Sequence, residues 1–298
     1  MNAPVIAVVG SAMMDLTAYA DILPEPGQTL AGELFTTGFG GKGANQAVMA
    51  AHCGAQVHFI GKLGKDVFGD AIAENFEKVG IHSQFVDRSD TPNGVAHIWV
   101  DGHGENRIII IPGANHEIEI AKAVHAIESV ADLSTVVAQC EIKQEVTLAA
   151  FRAAKARGCT TILNPAPYQE ISDELLSLCD WIIPNESEFR ELHGELPNSD
   201  EVLKSFRVGK SSIVTLGSKG AVYISPDGQL HREAAPQVTT VDSTGAGDAF
   251  VGSFAYGLAS GRDPIEAMKF GIAIASLSVT RKGAQSSYPH QTEIATLS

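Results

Sequence analysis

The chain has 298 residues, enough for a large buried core, and parallel α/β folds of this size often form one domain. Its 35 acidic residues against 21 basic ones give a formal charge of −14, which argues against a broad surface for nucleic acid or anionic membrane. Cys53, Cys140, Cys159 and Cys179 are scattered without CxxC spacing and read as reduced structural thiols, and no apolar run approaches membrane-spanning length.

The first apolar run, Val5–Val9, reads as a strand reached without a basic leader or a cleavable apolar segment, so a cytoplasmic protein is expected. Leu16–Thr37 then breaks the rhythm of the chain. The Gly-rich run Gly38-Phe39-Gly40-Gly41-Lys42-Gly43-Ala44-Asn45 follows a β-patterned segment and opens a helix expected over Gly43–Cys53. By letters it contains G-x-G-x-x-G, but a dinucleotide site needs an acid about twenty residues on, where Lys62 stands after the strand Val57–Gly61. A P-loop is excluded too, because Lys42 precedes Gly43 rather than Ser or Thr. Glycines that admit close backbone approach, with Lys42 and Asn45 as donors, suit a compact polyol; a plain strand-to-helix turn fits the same letters. A helix over Phe68–Val79 follows. Val95–Ile111, with the turn Asp101-Gly102-His103-Gly104, reads as a hairpin. The irregular segments, at about 13–40 and 93–113, are assigned to a small β-lid outside the main sheet.

Thr135–Ala138, Thr161–Leu163, Trp181–Ile183 and Ile213–Leu216 continue the strand series, with a helix over Glu145–Arg157. Such alternation indicates an α/β fold with a parallel sheet covered by helices. Just after Trp181–Ile183 comes Pro184-Asn185-Glu186-Ser187-Glu188, at the strand end where parallel sheets usually bind ligands. Asn185 and Glu188 are spaced to hold Mg²⁺ through its waters, or equally to cap a helix, with Asn at N-cap and Glu at N3. The polar loop between Gly194 and Asp200 joins helices, and no linker of domain-boundary length interrupts residues 1–298.

The strongest chemical signal is Val241-Asp242-Ser243-Thr244-Gly245-Ala246-Gly247-Asp248-Ala249-Phe250, a small-residue loop leading into a helix expected over Ala246–Ser260, itself followed by Pro264–Arg281. Gly245 and Gly247 allow backbone N–H groups to turn inward at a helix N-terminus, an anion-binding nest suited to a phosphoryl group in transfer. Asp248 falls in the first turn, where a carboxylate can take a proton from an attacking hydroxyl. An acid that merely complements the helix dipole is the alternative. Metallohydrolase and serine-hydrolase readings are poorly supported: there is no HExxH, and Ser11 lacks a nucleophile-elbow context.

Together these runs resemble the ribokinase branch of the carbohydrate-kinase family often called PfkB, over nearly the whole chain. The amino-terminal signature is similar to Gly40-Gly41-Lys42-Gly43-Ala44-Asn45-Gln46 and the carboxy-terminal one to Asp242-Ser243-Thr244-Gly245-Ala246-Gly247-Asp248, with Gly10 to Asp15, Asn185 to Glu188, and Leu216 to Gly220 also matching. The resemblance implies a three-layer α/β/α fold with a mainly parallel central sheet and a β-sheet lid, which commonly pairs with the lid of a second subunit in a homodimer. It makes Asp248 the base that activates a sugar hydroxyl, and Gly245, Ala246 and Gly247 the anion hole. Asp15, Gly41, Lys42, Asn45 and Glu141 match sugar-binding positions; Asn185 and the stretch Leu216, Gly217, Ser218, Lys219, Gly220 and Ala221 match ATP-binding ones, as does Gly247. Glu188 belongs to a motif that tunes Mg²⁺. Asp242, Thr244, Ser278, Arg281, Gly283 and Ser287 match loops around a monovalent cation, usually K⁺, most of them acting through carbonyls.

Three departures bear on specificity. Met13 stands where many bacterial ribokinases place an Asn against the sugar, and in this it is similar both to deoxyribokinases and to some eukaryotic ribokinases; Met supplies no such hydrogen bond. Ile272 replaces a polar residue often found near adenine, and Glu195–Gly209 is shorter than usual. The expected activity is transfer of the ATP γ-phosphate to the 5-hydroxyl of D-ribose, with 2-deoxy-D-ribose as the alternative pentose and other sugars or nucleosides behind them. From other classes, a catalytically silent sugar or nucleotide sensor and a Rossmann oxidoreductase remain to be discriminated, by turnover and by NAD(P) against ATP binding.

Overall fold

The apolar runs pair into one sheet because each is too short and too apolar on both faces to stand at a surface, and helices of matching length separate them. The computed structural model describes residues 3–296. In chain order the elements are β1 (Val5–Val9), β2 (Met13–Tyr19), β3 (Leu34–Gly40), α1 (Lys42–His52), β4 (Gln56–Gly64), α2 (Val67–Val79), β5 (His82–Ser89), β6 (Gly94–Val100), β7 (Asn106–Ile111), α3 (Ile120–Ser129), β8 (Leu133–Ala138) and α4 (Gln144–Ala156). There follow β9 (Thr160–Leu163), α5 (Asp173–Ser177), β10 (Trp181–Ile182), α6 (Glu186–His193), α7 (Asp200–Ser205), β11 (Ser211–Thr215), β12 (Ala221–Ile224), β13 (Leu230–Glu233), α8 (Ala246–Ala259), α9 (Pro264–Ser278) and α10 (Gln291–Ile294).

The main sheet has nine strands in the order β13-β12-β11-β10-β9-β8-β1-β4-β5. It is parallel from β11 to β5, while β12 and β13 run antiparallel at one edge. Strand alternation sorts β1 cleanly: Ile6 and Val8 enter one apolar cluster with α1, α2, α8 and α9, whereas Val5, Ala7 and Val9 enter the other with α3 to α7. The result is a three-layer α/β/α arrangement. Small residues bring α1, α8 and α9 close: a Cβ on Gly252 would meet the Gln46 carbonyl at 2.5 Å, and one on Gly257 would meet Ala267 Cβ at 3.0 Å.

A second sheet of four strands, β3-β2-β6-β7, is formed by segments that precede and follow the β4-α2-β5 unit. β2 pairs antiparallel with β3 and parallel with β6, and β6 pairs antiparallel with β7. Two buried asparagines pin this sheet where β2 leaves β1. Asn115 accepts from Ala12 N at 2.9 Å and donates to Ala12 O at 3.1 Å, while Asn93 accepts from Gly64 N and donates to the carbonyls of Gly94 and Ala12.

The expected strands and helices are present with shifted ends, and β5, β12 and β13 join the sheet from stretches not expected as strands. β5 and β13 are edge strands with polar residues, and β12 is four residues long, so tertiary pairing rather than local pattern defines them. Among the described residues no helix is long and apolar enough to cross a membrane. All four cysteines are buried and free, and burial pushes the Cys140 thiol up to about 12.

Candidate active site

The residues singled out at strand ends and helix starts converge at the carboxyl edge of the parallel strands, where such sheets bind ligands. α1 begins directly after Gly41, whose φ of +84° and tight surroundings demand glycine: a Cβ would meet Met13 N at 2.7 Å. The start of α1 is anchored to the turn after β1. Ser11 O accepts Ala44 N at 2.8 Å, and Glu141 Oε2 accepts both Lys42 N at 2.8 Å and the Ser11 hydroxyl at 2.5 Å. Glu141, just beyond β8, is buried, which raises its carboxyl above the usual range, with Lys42 opposing.

α8 begins after the second glycine turn. Gly245, at φ +74°, carries no side-chain cap, and its carbonyl accepts the hydroxyl of the fully buried Tyr288 at 2.9 Å. A Cβ on Gly247 would meet nothing within 4 Å, so this residue opens on the cavity. Of the three expected anion-hole positions, Ala246 has its amide turned to Ser243 O at 3.2 Å, which leaves the next amides of the first turn without intrahelical acceptors. Asp248 is buried at 5 % exposure, and its oxygens accept Asn45 Nδ2 and Gln46 Nε2, both at 2.9 Å. A cavity of about 210 Å³ joins the two helix starts, lined by Lys42, Asn164, Asn185, Glu188, Thr215, Gly245, Gly247 and Asp248 among others.

The electrostatics are those of a carboxylate cluster around one cation. The ammonium of Lys42 is held above its usual range chiefly by Asp248, against its own burial, with Glu141 and Glu188 assisting. Asp15, on β2, is pushed up to about 7 by burial and then by Glu141 and Asp248. Period-two alternation puts Met13 on the same face of β2 as Asp15, while Met14 and Leu16 turn to the core; Met13 is 1 % exposed.

Asn185 and Glu188 form a complete capping box. Asn185 Oδ1 accepts Glu188 N at 2.9 Å, and Glu188 Oε2 accepts Asn185 N at 2.9 Å, so the capping reading of this pair is realised. Burial raises the Glu188 carboxyl, which lines the cavity. The stretch from Leu216 to Ala221 lies beside it: Thr215 N donates to Pro184 O at 3.0 Å, Lys219 Nζ pairs with Glu186 at 3.5 Å, Gly217–Lys219 makes one 3-10 turn, and Gly220 packs on β13. Ile272, on α9, is 5 % exposed and belongs to the apolar cluster.

The loops expected around a monovalent cation are tied together by Asp242. Its carboxylate accepts Thr244 N and Oγ1 at 2.9 and 2.7 Å and Gly283 N at 2.8 Å, and Asp242 N donates to Val279 O. Burial opposes ionisation of Asp242, but these bonds hold its carboxyl below the usual range. Ser278 and Ser287 turn their hydroxyls to the carbonyls of Ala275 and Ala284, and Arg281 turns to Glu293. Among the described residues no three His, Cys, Asp or Glu side chains gather as a metal site, so carbonyls, hydroxyls or bound water would be the donors here.

Several residues of the site had no assigned role in the sequence: Gln46, Gln139, Asn164, Gln285 and Tyr288. Gln139 and Asn164 follow β8 and β9 directly, as Ser11 nearly follows β1, so a search for polar residues at parallel strand ends would have found them. A larger cavity, of about 600 Å³, lies at the far end of the second sheet against Ile22, Trp99, Asp101 and Arg107, and it shares no residue with either helix start.

The sequence profile of the pfkB family carbohydrate kinases matches residues 4–291. The chain is 39% identical over 292 residues to a deoxyribokinase of Salmonella typhimurium, covering 95% of each, and 38% identical over 290 residues to a ribokinase of Bacillus subtilis, covering 97% of each. Its structure is similar to that of Thermotoga maritima ribokinase (TM-score 0.89, 36% identity, 98% of each chain). It is also similar to Arabidopsis thaliana ribokinase complexed with ribose and ATP (TM-score 0.91, 33% identity, 99% of each chain).

Proposed function

Because this chain belongs to the pfkB family of carbohydrate kinases and is a sugar phosphotransferase, we propose that it transfers the γ-phosphoryl group of ATP to the 5-hydroxyl of D-ribose. The observation that carries the reading is the placement of Asp248 in the first turn of α8, beside the Gly245–Gly247 turn and in one cavity with Lys42. The sugar lies between Asp15, the start of α1 and Glu141, with its primary hydroxyl against Asp248. Asp248 takes the hydroxyl proton as the oxygen attacks, while the first-turn amides of α8 and the Lys42 ammonium stabilise charge on the phosphoryl oxygens. ATP occupies the side of the cavity formed by Asn185, Thr215 and the Leu216–Ala221 stretch.

Mg²⁺ and K⁺ fit the donors present. Glu188, with both oxygens engaged in its cap, suits a hydrated Mg²⁺ held through water, and the loops of Asp242, Thr244, Ser278, Arg281, Gly283 and Ser287 suit K⁺ through carbonyls and hydroxyls. When bound, these cations would neutralise the negative charge gathering on the phosphates.

The second reading, 2-deoxy-D-ribose, is favoured by Met13. An apolar residue cannot demand a hydroxyl, so discrimination there is weak. The second sheet is read as a lid on the sugar, within a single-domain chain. Its outer face is apolar, with Phe35 61% and Ile109 59% exposed, and it is read as the surface on which two copies pair.

The test is ADP release with ATP, Mg²⁺, K⁺ and a panel of pentoses, for the protein and for Asp248→Asn. Turnover should fall by about 10²–10⁴ in the variant while pentose and ATP binding persist. No turnover on any pentose, or equal turnover in the variant, would sink the reading.

A further inference from the structure

Each oxygen of Asp248 has its own amide donor, and neither amide ends there. On one side Asn45 Nδ2 donates to Oδ2 at 2.9 Å; Asn45 Oδ1 accepts Gln285 Nε2 at 3.0 Å, and Gln285 Oε1 accepts Asn75 Nδ2 of α2 at 2.9 Å. On the other, Gln46 Nε2 donates to Oδ1 at 2.9 Å, and Gln46 Oε1 accepts Gln139 Nε2 at 2.6 Å. The remaining hydrogen of Gln46 goes to Asn164 Oδ1 at 3.0 Å, and Asn164 Nδ2 donates to Ile183 O at 2.9 Å.

The direction of these chains follows from Asp248. An ionised carboxylate only accepts, so Asn45 and Gln46 must turn their NH₂ groups to it, and their oxygens then face away. Those oxygens need donors, and Gln285 and Gln139 turn their NH₂ groups to them, as Asn75 does to Gln285. At the head of the second chain Gln139 Oε1 is buried with no partner. An orphaned buried acceptor is costly, yet turning this amide over would set two oxygens against each other at Gln46. The chain thus keeps its polarity at a cost. Aligned amides polarise one another and strengthen the terminal bond, the one on the carboxylate.

We propose that Gln46 and Gln285 are positioning residues for Asp248: two carboxamide chains, converging on its two oxygens from different layers of the fold, set the plane of the carboxylate. This rests on the reading of Asp248 as the base. Each oxygen keeps a second lone pair and Asp248 lines the cavity, so the chains hold the group while leaving it acceptor capacity for the hydroxyl proton. Gln46 is 0 % exposed and acts through Asp248. The other titratable groups facing Asp248 are Lys42 on α1, Asp15 on β2, Glu141 beyond β8, Glu188 on α6 and the Tyr288 hydroxyl. All of them persist in the variants below.

The experiment compares kcat and KM for the protein, Gln46→Met, Gln285→Leu and Asp248→Asn, with ATP and the best pentose, alongside thermal melts. In Gln46→Met, kcat should fall about 10- to 100-fold with KM for both substrates changed less than about threefold. Gln285→Leu, cutting the other chain one link back, should lower kcat in the same way by less. A kcat within about threefold of the unaltered protein's in folded Gln46→Met, or a fall in kcat matched by a rise in KM, overturns the proposal. If Gln46→Met does not fold, Gln285→Leu decides alone. Wild-type turnover in Asp248→Asn would instead remove the base reading, which separates the two failures.

Discussion

Gly40 leaves room for Asp15: a Cβ on Gly40 would stand 2.5 Å from Asp15 Cγ and 2.6 Å from Oδ2. Those atoms end a short side chain that can swing aside, so Gly40→Ala is expected to lower stability by less than about 1 kcal/mol while displacing the carboxylate from the sugar. KM for the pentose should rise by about tenfold or more and KM for ATP should stay put. Steady-state kinetics with each substrate varied, plus a melting curve, would check both halves; a large stability loss with unchanged pentose KM would contradict the expectation.

Asp15 also predicts a pH dependence. Burial, then Glu141 and Asp248, push its carboxyl from 3.8 up to about 7. Between those values the folded protein holds a proton that the unfolded chain has released, so this group's contribution to stability declines as pH rises from about 4 to 7 and the penalty is full above 7. Asp15→Asn should therefore raise Tm by about 2 °C near pH 8 and leave it unchanged near pH 4. In the unaltered protein, KM for the pentose should increase as pH falls through about 7, because a neutral carboxyl is a poorer acceptor for hydroxyls. A flat KM profile across that range would count against Asp15 as a sugar ligand.

At Met13 the prediction concerns selectivity. Met13→Asn places an amide on the Asp15 face of β2, where Gly40 and Gly94 flank it in register. The kcat/KM ratio of ribose over 2-deoxyribose should rise by about tenfold or more. Competition between the two sugars in one assay measures that ratio directly, and an unchanged ratio would place the 2-position away from this residue.

The outer face of the second sheet gives a prediction about assembly. Ile109 and Ile111 are exposed there on the edge strand β7, on the same face as Phe35, while Ile108 and Ile110 alternate to the face of Asp15. Ile109→Glu should convert a dimer to a monomer in sedimentation or light scattering. Monomers both before and after the change would refute pairing through this face.

Much of the main sheet could be read from residues. Apolar runs bounded by turn residues found β1 to the residue, and the two glycine turns announced the helices that carry Lys42 and Asp248. Strand and helix ends shifted because caps decide them: α1 starts at Lys42 since Gly41 takes a left-handed φ. β5 and β13 escaped because edge strands need only one partner and one covered face. In the site, Asp248 was legible from its loop, but Gln46 gained its role from a bond spanning 202 positions, and no local pattern encodes that. Gln285 and Tyr288 escaped for the same reason, reaching Asn45 and Gly245 from the far end of the chain.

The central pair of the second sheet joins Met13 to Gly94 and Tyr19 to Val100, strands separated by all of β3, α1, β4, α2 and β5. Closing that long loop is entropically costly unless the intervening unit has already folded. The β2–β6 ladder therefore belongs to the late events of folding, with the high sequence separation that slows formation. Pulse-labelled hydrogen exchange should find the amides of β1 and β4 protected before those of β2 and β6. The surface that carries Met13 and Asp15 would then be the last to take shape.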